Sequence, residues 1–199
     1  MEQPPRFSGV VKNFGMKQCQ VDHSVFSRDS KYGKILLIVY VDDIVITSSD
    51  NNGIDRLKNF LQNHFHMKDL GKVKYFLGIE VARSRHGVNL CQRKYVLDLF
   101  EEIRLLGAKP AKTPMELNAK FSIDACEEFD DPRGYKRLVR KLNYLTITIP
   151  DISFVVSMVN QFIQHPRVLH GEAVLRIVRY LKGAPGHGLL YKSEGTLEI

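Results

Sequence analysis

The sequence predicts an α+β fold in which antiparallel strands and one helix come first and helices follow. A continuous β-branched and aliphatic run from Ile35 to Tyr40 is typical of a strand buried on both faces. A second apolar run, Ile44 to Thr47, follows Asp42 and Asp43, which predicts a β-hairpin with this acidic pair at its tip. From Tyr135 onwards, apolar residues recur at the spacing of amphipathic helices.

Local patterns predict the elements on either side of this hairpin. Residues 1–9 contain two prolines and no periodicity, so they predict an unanchored arm. After the hairpin, apolar residues spaced three or four apart predict an amphipathic helix that ends near His66. Two further elements are predicted downstream, a hairpin from residues 73–82 and 88–91, and a helix over residues 94–106 that Gly107 closes as its C′ residue.

The last third of the chain is predicted to be entirely helical. Residues 108–131 carry prolines without periodicity, which indicates a linker. The predicted helices beyond it are residues 135–148, residues 152–164 with Asp151 as N-cap, and residues 168–182, ending at Gly183.

Composition and charge limit the class of protein. The formal net charge of +7 and the pI near 9.3 favour a polyanionic partner such as nucleic acid or anionic lipid. Three cysteines without a CxxC pair predict neither a zinc site nor a disulfide framework, and they favour a reducing compartment. There is no signal-peptide core, and the longest apolar run, Ile35 to Val41, is too short to span a membrane. We therefore expect an intracellular protein that does not contact membranes.

Asp42 and Asp43 are the strongest candidates for chemistry. Charge at the end of a buried strand is costly unless a partner compensates it, and Mg²⁺ is such a partner because it prefers carboxylate oxygens. A tight hairpin would fix both carboxylates in space, as two-metal phosphoryl transfer requires. The alternative is a solvated turn, since aspartate is a common turn residue. The flanking apolar strands and the aromatic Tyr40 favour a site.

Several motifs carry a resemblance to one family. The segment Leu37-Ile38-Val39-Tyr40-Val41-Asp42-Asp43-Ile44-Val45-Ile46 resembles the YxDD box of reverse transcriptases, in the YVDDIVI form of copia-type retrotransposons. Further matches follow in order along residues 10–199. They are Tyr75-Phe76-Leu77-Gly78-Ile79-Glu80, Gln92-Arg93-Lys94-Tyr95, Thr113-Pro114-Met115, Lys141-Leu142-Asn143-Tyr144-Leu145, Pro150-Asp151-Ile152-Ser153-Phe154 and Arg179-Tyr180-Leu181-Lys182-Gly183.

The resemblance implies a partial polymerase palm in residues 1–92, an antiparallel sheet with the YVDD hairpin and a helix. A helical thumb or connection region would follow in residues 93–199. Asp42 and Asp43 would be the metal-binding carboxylates, with Mg²⁺ or Mn²⁺ held weakly at most. Tyr40 and Val41 would line the primer terminus.

The other implied contacts are to nucleic acid. Phe76, Leu77 and Gly78 would lie in the primer-grip hairpin, and the loop from Lys68 to Lys74 would bring one undetermined lysine near the pyrophosphate. Basic helix faces would hold an RNA–DNA hybrid or duplex without sequence preference. The basic residues assigned to this contact are Arg137, Lys141, Arg179 and Lys182. For any single residue, an ordinary solvated helix face is the alternative.

The same resemblance indicates missing parts. Relatives carry a further metal-binding aspartate on a strand before the segment that resembles residues 1–5. They also carry a long stretch between the parts that resemble residues 4–7 and 11–15, and a ribonuclease H segment after residue 199. We therefore expect a truncated and internally deleted fragment of a decayed element. It should be inactive as a polymerase by itself, because two metal ions need at least three carboxylate contributors.

Two other functions remain open from the sequence. One is a non-catalytic module that binds nucleic acid without sequence preference. The other is a subunit that regains activity when a separate chain supplies the fingers and the first aspartate. The oligomeric state is not predicted.

Overall fold

The computed structural model describes residues 6–116 and 127–193, which form two compact units, Met1–Val73 and Lys74–Ile199. Both units combine an antiparallel sheet with helices, so the fold is mixed α and β. The border between the units lies before the second hairpin. The family-based division into residues 1–92 and 93–199 lies after it and stays a prediction. No helix in the described part of the chain is both long and apolar enough to cross a membrane.

From residue 6 onwards, where the structure describes it, the first unit is a four-stranded sheet with two helices. Its strands are neighbours in chain order, β1-β2-β3-β4, and all pairs are antiparallel. The elements are α1 (Phe7–Asn13), β1 (Lys17–Gln18), β2 (Val25–Ser30), β3 (Gly33–Tyr40), β4 (Asp43–Thr47) and α2 (Asn51–His64).

The core of the first unit lies on one face of this sheet. Alternate residues of β3, namely Ile35, Leu37 and Val39, are buried together with Leu57 and Leu61 of α2. The intervening residues of β3 are half-buried or exposed. The predicted burial of this strand on both faces was therefore wrong, because only one face of an antiparallel sheet needs to be covered.

Helix α1 contradicts the prediction of an unanchored arm for residues 7–9, whereas residues 1–5 of that arm lie outside the described residues. Phe7 is 2% exposed and Val11 is fully buried, one helical turn apart on the same face. The ring of Phe7 lies 5.2 Å from that of Phe65 and 6.3 Å from that of Phe26, measured between ring centroids. The two prolines before residue 6 concealed this amphipathic turn, whose apolar residues fix the segment to the core.

The second unit contains a second four-stranded sheet and four helices among its described residues. The sheet order is β5-β6-β7-β8, again antiparallel throughout. The elements are β5 (Tyr75–Phe76), β6 (Ile79–Ser84), β7 (Gly87–Cys91), α3 (Arg93–Glu102), α4 (Pro132–Leu145), a 3₁₀ turn (Pro150–Ile152), α5 (Ser153–Asn160), α6 (Val168–Leu181) and β8 (Gly188–Lys192).

The four helices share one core. Fully buried residues come from each of them, including Phe100 of α3, Leu142 of α4, Val156 of α5 and Ile177 of α6. Asp131 caps α4, because its carboxylate accepts a 2.8 Å hydrogen bond from the Gly134 amide.

Two predicted boundaries in this unit were wrong. Helix α3 ends at Glu102, and Arg104 adopts the left-handed conformation (φ 57°) that was assigned to Gly107. Asp151 does not cap a helix, because it lies inside the 3₁₀ turn before α5. The predicted linker, residues 108–131, lies partly outside the described residues.

The last third is also not entirely helical, since residues 188–192 form β8. This strand pairs with β7 from Gly87↔Lys192 to Cys91↔Gly188. Its run of Leu189, Leu190 and Tyr191 is too short to distinguish from a loop without knowledge of the partner strand.

Candidate active-site hairpin and nucleic-acid contacts

The acidic pair lies at the end of the hairpin formed by β3 and β4. Tyr40 pairs with Asp43, and Val39 pairs with Ile44, which leaves Val41 and Asp42 as the two-residue turn. The tip of the hairpin is therefore Val41 and Asp42, one residue before the predicted pair Asp42 and Asp43. Asp42 lies in the turn, whereas Asp43 is the first residue of β4 and its position is fixed by the strand ladder.

The turn contains a strained residue. Val41 has a φ of 52°, a left-handed conformation that a β-branched residue rarely adopts. Such strain costs about 1–3 kcal/mol and is concentrated at functional sites. Tight hairpin turns usually carry Asn or Gly at such positions. Valine therefore adopts a strained conformation at this position of the turn.

Both carboxylates are exposed and face no cation within the part of the chain that the structure describes. Among the residues that the structure describes, neither Asp42 nor Asp43 forms an ion pair or a side-chain hydrogen bond. Tyr40 and Val41 beside them are 41% and 48% exposed. Hard carboxylate oxygens that are free of other partners suit Mg²⁺ or Mn²⁺.

Two carboxylates are an incomplete ligand set. No group of three or more His, Cys, Asp or Glu side chains that could hold a metal ion occurs within residues 6–116 and 127–193. The donor chemistry of the pair therefore fits a hard divalent ion, while most of its coordination would have to come from water or other molecules.

The second hairpin turn contains two left-handed residues. Phe76 pairs with Ile79, and the intervening Leu77 and Gly78 have φ values of 49° and 75°. The Tyr144 hydroxyl on α4 donates a hydrogen bond to the Leu77 carbonyl. A Cβ atom at Gly78 would lie 3.3 Å from the Tyr144 hydroxyl oxygen. Although Tyr144 was part of a recognised motif, it was not among the predicted site residues.

The two predicted basic residues of α4 share one acidic partner. The Glu102 carboxylate of α3 forms an ion pair with Arg137, with 2.9 Å between its Oε1 and the Arg137 Nε. It also accepts a hydrogen bond from the Lys141 ammonium. These cations, Lys141 first, lower the pKa of Glu102 below its ordinary value of 4.5. Arg137 is the more accessible of the two, with 63% of its side chain exposed, against 29% for Lys141.

The basic residues of α6 differ in their availability. Arg176 pairs with Glu116 at 2.7 Å and donates to the Thr113 hydroxyl at 3.1 Å. The Lys182 ammonium donates to the carbonyls of the loop after α3, at 3.2 Å to Leu105 and 2.6 Å to Ala108, and also to Leu106. Arg179 is exposed, and no ion pair engages it in the described part of the chain. Of the predicted pair, only Arg179 is therefore free to contact a phosphate.

The basic loop has an internal anchor that the sequence did not reveal. The Asp69 carboxylate accepts hydrogen bonds from the Gly71 amide at 2.8 Å and from the Lys58 ammonium of α2 at 2.9 Å. These bonds lower the pKa of Asp69, and the contact with Lys58 is the larger cause. Lys68 and Lys72 form no ion pair with any described residue.

Comparison with known proteins identifies the class. Residues 5–117 match the family model described as Reverse transcriptase (RNA-dependent DNA polymerase), which is more than half of the chain. The chain therefore belongs to the reverse transcriptase family. No solved structure matches it.

The relatives are of the copia type. The chain is 39% identical, over its whole length, to the Retrovirus-related Pol polyprotein from transposon RE1 of Arabidopsis thaliana, of which it covers 14%. It is 35% identical to the corresponding polyprotein from transposon TNT 1-94 of Nicotiana tabacum, over 96% of this chain and 16% of the polyprotein. An uncharacterized mitochondrial protein of Arabidopsis thaliana is 37% identical over 82% of this chain and 68% of its own length.

The chain thus spans about one seventh of the Pol polyproteins that it matches. The alignment with the RE1 polyprotein has 204 positions for the 199 residues of this chain, so gaps in this chain take up only about five positions. This alignment therefore contains no long gap in the chain near Gly9, where the sequence suggested an internal loss.

Proposed function

We propose that this chain is part of the polymerase region of a copia-type Pol protein and that its β3–β4 hairpin is the metal-binding end of a polymerase palm. One observation carries the proposal: Asp42 and Asp43 are adjacent, exposed and unpaired among the described residues, at a turn strained by Val41. The helices of the second unit would correspond to the thumb and connection. Tyr40 and Val41 would contact the primer terminus.

The 199-residue chain by itself should not polymerise DNA. Positioning and electrostatic stabilisation by metal ions supply most of the catalysis of phosphoryl transfer, and two metal ions need at least three carboxylate contributors. The hairpin offers two, and no third acidic residue joins them among the described residues. Weak binding of one Mg²⁺ or Mn²⁺ ion is expected at most.

Primer extension tests this proposal directly. The purified chain is incubated with Mg²⁺ or Mn²⁺, deoxynucleotides and a primer annealed to an RNA template, beside an Asp42→Asn variant. Both proteins should leave the primer unextended. Template-dependent extension by the unaltered chain that disappears in Asp42→Asn would overturn the proposed inactivity and would establish the hairpin as catalytic.

The second unit is proposed to hold an RNA–DNA hybrid through phosphate contacts without sequence preference. The net charge of +7 and the unpaired Arg179 support this proposal, together with the exposed Arg137. Lys141 would contribute less because it is more enclosed, and Lys182 is engaged with main-chain carbonyls. Phe76, Leu77 and Gly78 would contact the duplex from their turn.

Salt dependence distinguishes this binding from other modes. If about three phosphates are neutralised, the affinity for a labelled hybrid should fall about 40-fold between about 50 and 200 mM salt. Arg179→Met should lower the slope of log affinity against log salt concentration by about one unit. Undetectable binding of hybrid at about 50 mM salt would exclude the binding function.

The open edge of β4 favours a second candidate, a subunit that a separate chain completes. β4 is the last strand of its sheet, and its apolar centre, Ile44-Val45-Ile46, has no strand beside its outer edge among the described residues. Such edges are ready to pair with a further strand. Mixing the chain with a reverse-transcriptase fingers fragment should then restore extension, and no gain over the separate chains would exclude this candidate.

A further inference from the structure

We propose that Tyr144 is a positioning residue that fixes the Leu77–Gly78 turn in the conformation in which the turn contacts the nucleic-acid duplex. This inference rests on the proposed binding of an RNA–DNA hybrid by the second unit. Tyr144 belongs to α4 and acts on the duplex through the turn, without being assigned a contact of its own.

The turn needs an external support because its own sequence does not favour its conformation. Leu77 has a φ of 49° and Gly78 a φ of 75°, so two consecutive residues are left-handed. Two-residue hairpin turns with this conformation usually carry Asn or Asp before the glycine, whose short polar side chains tolerate it. Leucine has no such side chain. Without further contacts, this turn would sample other conformations.

Tyr144 supplies that support through two contacts. Its hydroxyl donates a hydrogen bond to the Leu77 carbonyl, which fixes the orientation of the peptide group between the two left-handed residues. Its ring packs against Gly78, where an added Cβ would lie 3.3 Å from the hydroxyl oxygen and 3.4 Å from the ring. The glycine is therefore required by its backbone conformation, and an added Cβ would also come into close contact with the Tyr144 ring.

The ring itself is held in place by an aromatic neighbour. Its helix, α4, is anchored in the helical core by Leu142 and Leu145, which are fully buried. The Tyr95 ring of α3 packs edge-to-face on Tyr144, with 5.3 Å between ring centroids. The position of the turn is therefore set by the helices of the second unit. The adjacent Tyr75 is 53% exposed, which places an aromatic side chain at the surface beside the turn.

Paired variants test the inference. Tyr144→Phe removes the hydrogen bond to Leu77 and keeps the ring, whereas Tyr95→Phe removes a hydroxyl that donates to no described residue. Gly78→Ala is a second test, because it disturbs the turn without altering α4. Hydrogen exchange of the peptide that spans residues 75–80 reports the conformation of the turn. Titration of each variant with a labelled RNA–DNA hybrid gives the dissociation constant and the fraction of active protein.

Tyr144→Phe should speed exchange in residues 75–80 and weaken hybrid binding about three- to tenfold, the range that corresponds to one net hydrogen bond. The active fraction should remain unchanged, which separates a misplaced turn from a partly unfolded protein. Gly78→Ala should weaken binding at least as much. Tyr95→Phe should leave both the exchange of the turn and the affinity unaltered.

The other outcomes are equally distinct. Faster exchange in Tyr144→Phe with unchanged affinity would show that the turn is purely structural and would overturn the inference. A lowered active fraction at unchanged affinity would also overturn it, because it indicates a role in folding alone. Failure of the unaltered chain to bind any hybrid would refute the proposed function instead, and exchange in residues 75–80 would still decide whether Tyr144 holds the turn.

Discussion

Replacing Lys182 with methionine tests whether this lysine stabilises the fold or contacts nucleic acid. Methionine keeps much of the apolar stem and removes only the ammonium, which donates to three carbonyls after α3. Hydrogen bonds that involve a charged group contribute about 1.5–3 kcal/mol. Water replaces part of that contribution at these partly exposed carbonyls. We therefore expect Lys182→Met to lower the free energy of unfolding by about 2 kcal/mol.

Arg179→Met on the same helix is the matched control. Arg179 is exposed and has no described ion-pair partner, so its loss should change stability by less than about 0.5 kcal/mol. The Arg179→Met variant should bind an RNA–DNA hybrid more weakly, whereas the Lys182→Met variant should bind it nearly as well as the unaltered chain. Urea unfolding followed by circular dichroism measures stability, and fluorescence anisotropy measures binding. An unchanged urea midpoint in Lys182→Met, with an affinity loss equal to that of Arg179→Met, would refute the structural role.

Two further predictions concern the hairpin and the ion pairs of α4. Val41→Asn should raise the free energy of unfolding by about 1 kcal/mol, because asparagine tolerates the left-handed turn position, and a lower urea midpoint would contradict this expectation. Hydrogen bonds from Lys141 and Arg137 lower the pKa of Glu102 in the folded protein. The contribution of Glu102 to stability should therefore be complete above its unfolded pKa near 4.5, and it should disappear as pH falls through the folded pKa. Urea midpoints of Glu102→Gln and the unaltered chain should therefore differ at pH 7 and converge as pH falls below the folded pKa of Glu102, and a constant difference across this range would contradict the assignment.

Local periodicity predicted most of the elements of the fold. The amphipathic pattern of Leu57 and Leu61 indicated α2, and that of the segment beginning at Val168 indicated α6, because the spacing of apolar residues reflects which face is buried. β8 was missed because its strand character depends on pairing with β7, which is far away in the sequence. Glycine was likewise a misleading end signal for α3, where Arg104 takes the left-handed conformation.

The candidate site was only partly accessible from the sequence. The acidic pair and its flanking strands could be recognised because all of their residues are contiguous. The contact between Tyr144 and Leu77 joins residues 67 positions apart, and no local pattern reports it. The sequence also showed that Lys182 is basic, but it could not show that main-chain carbonyls occupy its ammonium. The contacts that folding creates between distant residues decide which charged side chains remain free to bind a ligand.

The pairing of β7 with β8 determines when the second sheet can be completed. Cys91 pairs with Gly188, so the two strands enclose a loop of about 100 residues, and its closure costs conformational entropy that local helix formation avoids. Helices α3 to α6 and the β6–β7 hairpin can form from neighbouring residues as the ribosome delivers them, whereas the other edge of β7 must wait for residues 188–192. We expect the last strand to join in a slow, late step of folding. Until then β7 has a free edge, and nascent chains are most exposed to strand exchange with one another in that interval.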